Sequence, residues 1–597
     1  SVDYFPNKLN NHQQKQYTNI LEMKKVYLAV DLGAGSGRVM ASAFDGKKLS
    51  LDEVARWSSN PVKIGNSYHW DIDAIFSSIL NGLRKAKSLF GDSIVSIGID
   101  TWGVDYGLLD SSDKFISLPY IYRDSRTEGI DAEVFSKIPK ADIYASTGIQ
   151  FMFFNTIFQL AEDARSGRLE RAQTFLMMPD IIAFMLCGVK ANERTNASTT
   201  QCYNPFSRDW NWDFFGKLGI PERLFKSGFA ECGTVLGSLR PELKAELGDI
   251  KVACVATHDT ASAVVATPSA NKNPAYVNSG TWSLAGLELD SPIVNEAAFS
   301  ENFTNEIGAE NTVRFLKNIT GMWLVQKCKE VWAREGRDMG YRELERAAAE
   351  SEPRRTVFDV DSPEFAMPEN MPLAIEEYCR ANSLKIPRTQ GEMFRAIQES
   401  IAAKYAKVFS NMKKISGVGI DRIHIMGGGS KDAMLNQFAA DATGCEISAG
   451  PTESTAFGNV AMQMKALGDI SSVAEGRAVI VNSCDPKIFE PQNSHRKNWQ
   501  TQSARIGAVP LSLFFNFACR FGLYFSRTLI VLAQVFLLSY LQHAGIGFDL
   551  LAALPVGCLH VCVATVRFAM FCWVDTRDFY RNLLGLHEIS KNARLWV

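Results

Sequence analysis

The sequence predicts an α/β fold with two domains that have related beginnings. The first observation is length, because 597 residues are too many for one ordinary hydrophobic core. The second is a unit of strand, small-residue loop and strand that occurs twice, beginning near residues 26 and 275. The third is a glycine-rich loop near residue 428, which joins a strand pattern to an amphipathic helix.

These patterns divide the chain into four segments. Residues 1–22 are polar, and Met23 with the apolar strand after it is typical of a natural start. We expect the first domain over residues 23–266 and the second over residues 267–495. Residues 505–597 form an apolar C-terminal extension, which we expect to be helical.

The apolar extension has three interpretations. It is a membrane hairpin, a buried helical appendage, or foreign sequence joined to an otherwise complete protein. Residues 550–566 carry no Asp, Glu, Lys or Arg and have about the minimum length of a membrane helix, but they include His560. The third interpretation is favoured because the motifs described below end before the extension begins, and membrane contact is expected only under the first.

Composition excludes several classes of protein. A formal net charge of -2 gives no general attraction to nucleic acid or to an anionic membrane. The twelve cysteines form no CxxC pair, which argues against a zinc ribbon and for a reducing compartment. The first 25 residues lack the basic start and apolar core of a secretory signal, so we expect a cytoplasmic protein.

The first loop lies in VYLAVDLGAGSGRVMASAF, where an apolar strand reaches Asp31 and glycines follow at positions 33, 35 and 37. No helix pattern or Gly-Lys-Ser/Thr follows, so this is neither a dinucleotide fingerprint nor a Walker loop. Backbone N–H groups in such a turn can converge on a phosphate, and the missing side chains let the phosphate approach. A glycine-rich hairpin can equally be structural.

Two further loops repeat this theme. The sequence AYVNSGTWSLAGLEL places Ser279, Gly280 and Thr281 between two strand patterns. In IHIMGGGSKDAMLNQFAADATG, residues 427–429 are glycines between a strand and a helix, where a nucleotide could lie against the backbone. One such loop is weak support for a phosphate site, whereas three in this order on a two-domain chain are much stronger.

Polar side chains between the first two loops suit a ligand with many hydroxyl groups. Asp100 and Asp105 bracket Trp102 and Gly103 at the end of a strand pattern, and Arg, Asp, Ser and Arg follow over residues 123–126. Hydroxyl groups need polar partners, while an apolar face of the ligand can pack on the tryptophan ring. The alternative is a strand-end turn with a structural tryptophan.

The stretch VATHDTASAV, residues 255–264, places His258 and Asp259 where a buried strand ends and a helix begins. Asp259 could simply cap the helix, because an aspartate side chain accepts hydrogen bonds from the unpaired N–H groups of a first helical turn. It could also be aimed from a rigid element into a cleft as a base. Spacing alone does not choose between these interpretations.

In this order, the segments resemble the carbohydrate kinases of the FGGY group, within the superfamily of actin-like and hexokinase-like ATPases. The matching segments include AVDLGAGSGRVM, SIGIDTWGVD, YRDSRT, GIQFMFFNT, TNASTTQ, ATHDTASAV, NSGTWSL, LKNITGMWLVQ and AGPTESTAFGN. The resemblance covers about residues 24–495 and is close to the branch that acts on L-rhamnulose. It implies two actin-like, ribonuclease H-like ATPase domains around a central cleft. The domain over residues 23–266 is then expected to hold the sugar and the phosphate loop, and the domain over residues 267–495 the nucleotide.

The resemblance also implies a reaction and a set of site residues. The reaction is ATP-dependent phosphorylation of the 1-hydroxyl of L-rhamnulose in L-rhamnose breakdown, with Asp259 as the proton acceptor. The sugar is expected to contact Gly103, His258, Asp259, Thr260 and Asn318. ATP is expected to contact Ala34, Gly35, Ser36, Gly37, Arg38, Thr281, Gln326 and Gly428. Mg²⁺ is expected with the nucleotide, reached by Asp31 through water.

Two alternatives to this reaction stay open. The substrate could be another ketose such as L-fuculose, because few side chains set substrate choice among relatives. The chain could also be a catalytically silent sugar-binding regulator, although Asp259 and all three glycine loops are present. The segment FNTIFQL lacks the Lys and Trp that glycerol- and xylulose-directed relatives usually carry there, which favours the L-rhamnulose branch.

Overall fold

A computed structural model describes residues 25–492 and Trp499. The expectations for residues 1–22 and 505–597 lie outside the described residues. None of the helices that the structure describes combines the length and apolar character of a membrane span. The eight cysteines in the described part of the chain are free thiols.

The elements up to residue 266 build the first sheet and its helices. The strands are β1 Val26–Leu32, β2 Ser36–Phe44, β3 Leu49–Ser58, β4 Val62–Ile64, β5 Ser67–His69, β6 Ile94–Thr101, β7 Tyr106–Leu109, β8 Thr174–Met177, β9 Asn192–Glu193, β10 Tyr203–Asn204, β11 Asp209–Trp210, β12 Phe229–Ala230, β13 Thr234–Ser238 and β14 Lys251–Cys254. The helices are α1 Ile72–Phe90, α2 Ile130–Lys137, α3 Lys140–Thr147, α4 Thr156–Arg165, α5 Met178–Cys187, α6 Arg194–Ala197, α7 Trp212–Leu218, α8 Pro241–Leu247 and α9 Asp259–Val265.

The elements after residue 274 build the second sheet and its helices. The strands are β15 Ala275–Ser279, β16 Trp282–Leu289, β17 Thr304–Ile307, β18 Val313–Thr320, β19 Arg422–Met426, β20 Glu446–Ala449 and β21 Lys487–Phe489. The helices are α10 Glu296–Ser300, α11 Trp323–Arg334, α12 Tyr341–Glu350, α13 Met371–Ala381, α14 Gln390–Ser416, α15 Ala433–Thr443, α16 Ser454–Ala466 and α17 Val473–Ser483.

The two sheets follow the same plan. The first has the strand order β13-β14-β6-β1-β2-β3 and the second β17-β18-β16-β15-β19-β20-β21. In each, a leading hairpin supplies the central strand, antiparallel strands lie on one side, and two parallel strands lie on the other. Each sheet begins with the strand–loop–strand unit that the sequence predicts, and the fold of the described residues is α/β with two large sheets.

The central strands are buried on both faces because helices cover them. Every residue of β1 is buried, which explains why its sequence reads as an apolar run rather than an alternating one. In the second sheet, Val277 and Ile425 lie in a core that α14 and α15 cover. The covered strands are rigid supports for the loops at their ends.

The helix α16 returns from the second sheet to the first. The side-chain amide of Asn459 donates to Asp100 Oδ2 (2.5 Å), and that of Gln463 donates to the carbonyl of Leu28 (3.0 Å). The helix also crosses α9 at backbone contact, since a Cβ on Gly458 would lie 1.7 Å from the carbonyl oxygen of Ser262. Only glycine fits at this crossing, which brings the helices that follow β14 and β20 together.

Candidate active site

Parallel strands of the first sheet bring three sequence motifs to one edge. The carboxyl ends of β1, β6 and β14 carry Asp31, the Trp102–Gly103 turn and His258–Asp259, respectively. The Thr101 N–H donates to the Thr257 carbonyl (2.9 Å), so the pairing continues beyond β14 to His258. Ligands of open α/β sheets bind outside this edge.

Asp259 is the first residue of α9, and His258 occupies the N-cap position without a capping side-chain hydrogen bond. Asp259 Oδ1 accepts hydrogen bonds from the backbone N–H (2.6 Å) and the hydroxyl (3.2 Å) of Thr260. The side chain remains 31% exposed. Burial raises the pKa of Asp259 above its ordinary value, against the lowering effect of His258. The carboxylate therefore supports the first turn without being its N-cap, and it remains reachable.

His258 lies between Asp259 and two charged residues of the second sheet. Its Nε2 is 3.4 Å from Asp259 Oδ1, and its Nδ1 is 3.1 Å from Arg314 Nη2 and 3.3 Å from Glu306 Oε2. Burial alone would raise the pKa of Glu306, but the Arg314 guanidinium and the His258 ring hold it below its ordinary value. The sequence analysis missed both residues of this pair.

Gly103 lies in a tight, strained turn. The Asp105 N–H donates to the Gly103 carbonyl (3.0 Å), and Val104 between them has a φ of 68°, which is unusual for a β-branched residue. The Thr199 hydroxyl accepts from the Val104 N–H (3.1 Å), and the Thr156 hydroxyl donates to the Val104 carbonyl (2.7 Å). These hydrogen bonds hold the strained backbone in place, as is common at ligand sites.

The aspartates on either side of this turn are both buried, and Asp105 is occupied by protein donors. Asp105 is fully buried, and its Oδ2 accepts from the indole N–H groups of Trp70 (2.7 Å) and Trp102 (2.9 Å). Burial raises its pKa to about 6. Asp100 is also fully buried, and burial raises its pKa well above the ordinary range. The expectation that Asp105 binds a polyhydroxylated ligand is therefore wrong, because protein donors occupy its carboxylate.

The acid in the 123–126 segment has a structural role as well. Asp124 accepts hydrogen bonds from the backbone N–H groups of Tyr68 (2.7 Å) and Arg126 (3.0 Å). Arg123 instead reaches the second sheet's loops, with its guanidinium 4.5 Å from the Trp323 ring centroid and 5.8 Å from that of Trp282. Stacking of this kind is a cation–π contact. It joins the two halves of the chain beside the second glycine loop.

The first glycine loop is a hairpin turn, as the sequence predicts. The Gly33 N–H donates to the Ser36 carbonyl (2.9 Å), and Gly35 at the tip is exposed. The Arg38 side chain does not extend toward solvent, because its Nε (2.9 Å) and Nη2 (2.5 Å) bind Asp31 Oδ2 and its Nη1 binds Glu453 Oε2 (2.5 Å). Residues 34–37 thus present backbone, while Arg38 links the loop to the start of α16.

The second and third glycine loops lie together. The Thr281 hydroxyl donates to Gln326 Oε1 (3.2 Å), which pairs two of the residues expected at ATP. A Cβ placed on Gly428 would meet nothing within 4 Å, so its backbone is open to a ligand. The Asn278 amide donates to the Thr260 hydroxyl (3.3 Å), which connects this region to the helix that carries Asp259.

Asn318 lies on β18, where its hydrogen bonds go to Gln150. Its backbone N–H (2.9 Å) and its side-chain amide (3.1 Å) both donate to Gln150 Oε1. Within the described residues it makes no hydrogen bond with His258, Asp259 or Thr260. Gln150 comes from GIQFMFFNT, so this pair joins the two halves of the chain through a motif of the resemblance.

Comparison with known proteins now identifies the family. The profile of the FGGY family of carbohydrate kinases matches the chain twice, with its N-terminal domain over residues 26–266 and its C-terminal domain over residues 275–467. The chain belongs to the FGGY family of carbohydrate kinases. It is therefore a sugar kinase, and as a member of this family it uses ATP.

Several curated relatives at about 40% identity are named rhamnulokinase. The chain is 41% identical to a rhamnulokinase of Bacteroides thetaiotaomicron over 475 residues, which are 79% of this chain and 97% of the relative. It is 42% identical to a rhamnulokinase of Oceanobacillus iheyensis over 466 residues, 78% of this chain and 98% of the relative. The Bacillus subtilis rhamnulokinase is 40% identical over 473 residues, 79% and 96% of the two chains.

Solved structures of other kinases share the fold at much lower identity. Gluconate kinase from Lactobacillus acidophilus superposes with a TM-score of 0.66 at 17% identity, covering 80% of this chain and 96% of that one. Xylulose kinase from Rhodospirillum rubrum gives 0.67 at 14% identity, covering 83% and 99%. Plasmodium falciparum glycerol kinase with ADP gives 0.65 at 15% identity, covering 80% and 97%. These likenesses support the two-sheet α/β architecture.

A buried glutamate of this FGGY kinase also escaped the sequence analysis. Glu193 Oε2 accepts from the Thr257 N–H (3.1 Å) and hydroxyl (2.9 Å) and from the Thr195 hydroxyl (2.5 Å). These bonds fix the backbone immediately before His258. The only signal in the sequence was an acid just before the TNASTTQ segment.

Proposed function

We propose that the chain phosphorylates the 1-hydroxyl of L-rhamnulose with ATP, giving L-rhamnulose 1-phosphate and ADP in L-rhamnose degradation. The observation that carries this proposal is 40–42% identity to relatives named rhamnulokinase over nearly their whole length. The arrangement of Asp259 beside three glycine loops supports it, because phosphoryl transfer needs a positioned hydroxyl and phosphate-binding backbone. We place the reaction in the cytoplasm.

Asp259 is proposed as the proton acceptor. It is the first residue of α9, which is held by the hydrogen bonds that Glu193 accepts from Thr257 and by close packing against α16. The carboxylate is therefore attached to a rigid element. An ordinary aspartate is a weak base, and the raised pKa of Asp259 brings its basicity closer to the working pH. The proton leaves the sugar hydroxyl late, when the loose transition state has made that hydroxyl more acidic.

We assign the remaining site residues to the sugar or to ATP as the family resemblance implies. We assign His258, Thr260, Gly103 and Asn318 to the sugar. We assign ATP to the backbone of Ala34, Gly35, Ser36 and Gly37, to Arg38, and to Thr281, Gln326 and Gly428. Backbone N–H groups and hydroxyls stabilise phosphate charge without introducing a carboxylate that would repel it. Closure of the glycine loops over the substrates would exclude water from the transferring phosphoryl group.

The residues around Asp31 fit a magnesium ion that enters with ATP. Both Arg38 contacts of Asp31 fall on Oδ2, and the buried Oδ1 of Asp100 on the neighbouring strand has no hydrogen-bond partner among the described residues. Carboxylate oxygens and water are the ligands that Mg²⁺ prefers. When bound, the ion neutralises phosphate charge, and Asp31 is the residue we propose to hold it, through water.

A coupled ADP-release assay with the full chain tests the substrate. The panel contains L-rhamnulose, L-fuculose, D-xylulose and glycerol, and we expect L-rhamnulose to give the highest kcat/KM. A tenfold preference for L-fuculose or D-xylulose would refute the substrate while leaving the kinase. Sugar binding without ADP release from any compound would indicate a silent regulator. Asp259→Asn serves as the inactive control.

A further inference from the structure

His258 contacts two buried charged residues, Arg314 and Glu306, to which no substrate contact is assigned. Arg314, on β18, is 0% exposed, and Glu306, on β17, is 4% exposed. Their Nη2 and Oε2 atoms lie 3.1 Å apart, so the pair enters the interior as a neutral unit. Arg314 also donates to the carbonyls of Ile307 (3.1 Å) and Thr195 (3.4 Å), which fix its orientation.

The direction of the hydrogen bond between Arg314 and His258 determines where the imidazole proton lies. A guanidinium donates hydrogen bonds and has no acceptor atom. Arg314 Nη2 is hydrogen-bonded to His258 Nδ1 (3.1 Å), so Arg314 is the donor. Nδ1 must therefore accept, and a neutral imidazole that accepts at Nδ1 carries its proton on Nε2. Glu306 Oε2 lies 3.3 Å from the same Nδ1, so the competing tautomer would donate Nδ1–H to Glu306. That tautomer would place the Nδ1 hydrogen against the N–H groups of Arg314 Nη2, 3.1 Å away, which disfavours it.

The Nε2–H then faces Asp259. The distance to Asp259 Oδ1 is 3.4 Å, which is long, as is common for catalytic hydrogen bonds before substrate binds. The two Thr260 donors also fall on Oδ1. Three donors on one oxygen leave Asp259 Oδ2 as the oxygen that is available to a substrate hydroxyl.

We propose that Arg314 is a positioning residue that holds His258 as the neutral Nε2–H tautomer, so that His258 donates to Asp259 Oδ1 and leaves Oδ2 to accept the substrate proton. Glu306 balances the charge of Arg314. This proposal rests on the proposed role of Asp259 as base. Since Glu306 and Arg314 belong to the second sheet and His258 to the first, the base is set up by residues from both halves of the chain.

The tautomer can be measured directly. Magic-angle-spinning ¹⁵N NMR on the full chain labelled with [¹⁵N]histidine, with His258→Asn to assign the signal, distinguishes a protonated from an unprotonated ring nitrogen. We expect His258 at pH 7.5 to show Nε2 protonated and Nδ1 unprotonated. An Nδ1–H tautomer or an imidazolium would overturn the proposal, whatever the activity of any variant.

Turnover gives the second measurement. Arg314→Met alone leaves Glu306 as a buried unpaired charge and can prevent folding, so the informative variant is Arg314→Met/Glu306→Met, which removes both charges. We expect its kcat to fall about 10- to 100-fold, the usual range for outer partners of a functional histidine, with the KM for ATP within about twofold of wild type. The His258 signal should change to a mixture of tautomers.

A matched pair of charges provides the control. Arg395 and Glu399 on α14 form a buried ion pair (2.9 Å) away from the site, with side chains 10% and 1% exposed. Arg395→Met/Glu399→Met should leave kcat and the His258 signal unchanged whatever it does to the melting temperature. Wild-type kcat in the Arg314/Glu306 double variant would overturn the proposal. If Asp259→Asn retained turnover, the base assignment would fail, while the tautomer measurement would still stand on its own.

Discussion

The two sheets share a plan, but they present different side chains where their strands end. Asp31, Asp100 and Asp259 lie at or just beyond the ends of β1, β6 and β14 in the first sheet. At the corresponding places in the second sheet, β15 ends at Ser279 and β19 is followed by Gly427. At these strand ends, the first sheet presents carboxylates, whereas the second presents a hydroxyl and a glycine backbone.

This difference separates two chemical tasks. A proton acceptor and a cation site need carboxylates, whereas a triphosphate needs uncharged donors that do not repel it. Two buried acids, Asp105 in the first half and Glu306 in the second, also differ in the direction of their pKa shifts. The pKa of Asp105 is raised to about 6 because burial is not balanced by a cation, whereas pairing with Arg314 holds the pKa of Glu306 below its ordinary value. Duplication of a fold therefore does not duplicate its electrostatics.

The largest expected effect is on the acid of the first sheet. Asp259→Asn keeps the size of the side chain and can still accept from Thr260, so melting temperature and binding of both substrates should change little. Its kcat should fall roughly 10²-fold or more, because an amide cannot take the hydroxyl proton. Measuring kcat and melting temperature on one preparation tests this, and a variant that keeps a third of wild-type turnover contradicts the assignment.

The next effect is the pH dependence of stability contributed by Asp105. Its folded pKa of about 6 lies above the ordinary value of 3.8, so the folded state holds the proton more tightly. Stability is therefore lost as pH rises from about 4 to about 6, by up to ~3 kcal/mol at ~1.4 kcal/mol per unit. Asp105→Asn can still accept from the two indoles and should lack this loss.

Urea unfolding of both proteins at pH 4 and pH 7 provides the measurement for Asp105. The difference in free energy of unfolding between Asp105→Asn and wild type should increase toward pH 7. Parallel pH curves for the two proteins would show that Asp105 is not the group responsible.

A third prediction concerns how the halves are attached. Gly458→Ala places a methyl group 1.7 Å from the Ser262 carbonyl, so the helices must separate, at a cost of about 1–3 kcal/mol of stability. Gly216→Ala on α7 is the matched control, because its methyl group meets nothing within 4 Å. That variant should gain about 0.5–1 kcal/mol from helix propensity. Thermal unfolding should show shifts of opposite sign, and equal shifts would contradict the crossing.

The smallest effect is expected in the second sheet. Thr281→Val removes one hydroxyl from the proposed phosphate site and should raise the KM for ATP about tenfold, equivalent to about one hydrogen bond to a charged group. The KM for L-rhamnulose should stay within about twofold of wild type. Thr443→Val is the control, because it removes a hydroxyl that donates to the Ala439 carbonyl and accepts from the Cys445 N–H at the end of α15, where no ATP contact is proposed. An increase confined to the sugar KM would reverse the division of tasks between the sheets.

Local patterns predicted much of the architecture and part of the site. The hairpins at β1–β2 and β15–β16 were readable because a turn and its strands are contiguous in the sequence. The role of Asp105 was not readable, because one of its donors, Trp70, arrives from 35 residues away and competes with any ligand. Glu306 and Arg314 were missed for the same reason, since only the second sheet's position brings them to His258.

If the two halves of the chain rotate about the crossing at Gly458, the position of this crossing sets how far Asp259 and Glu453 move. Gly458 lies five residues after Glu453, and Ser262 lies three residues after Asp259, so at 1.5 Å per residue the crossing is roughly 8 Å along the axis from Glu453 and ~5 Å from Asp259. A rotation of about 10° about this point would displace groups at these distances by about 1 Å and groups ~30 Å away by ~5 Å. Such a rotation would move the outer edges of the sheets by several ångströms while Asp259 and Glu453, close to the crossing, would shift little.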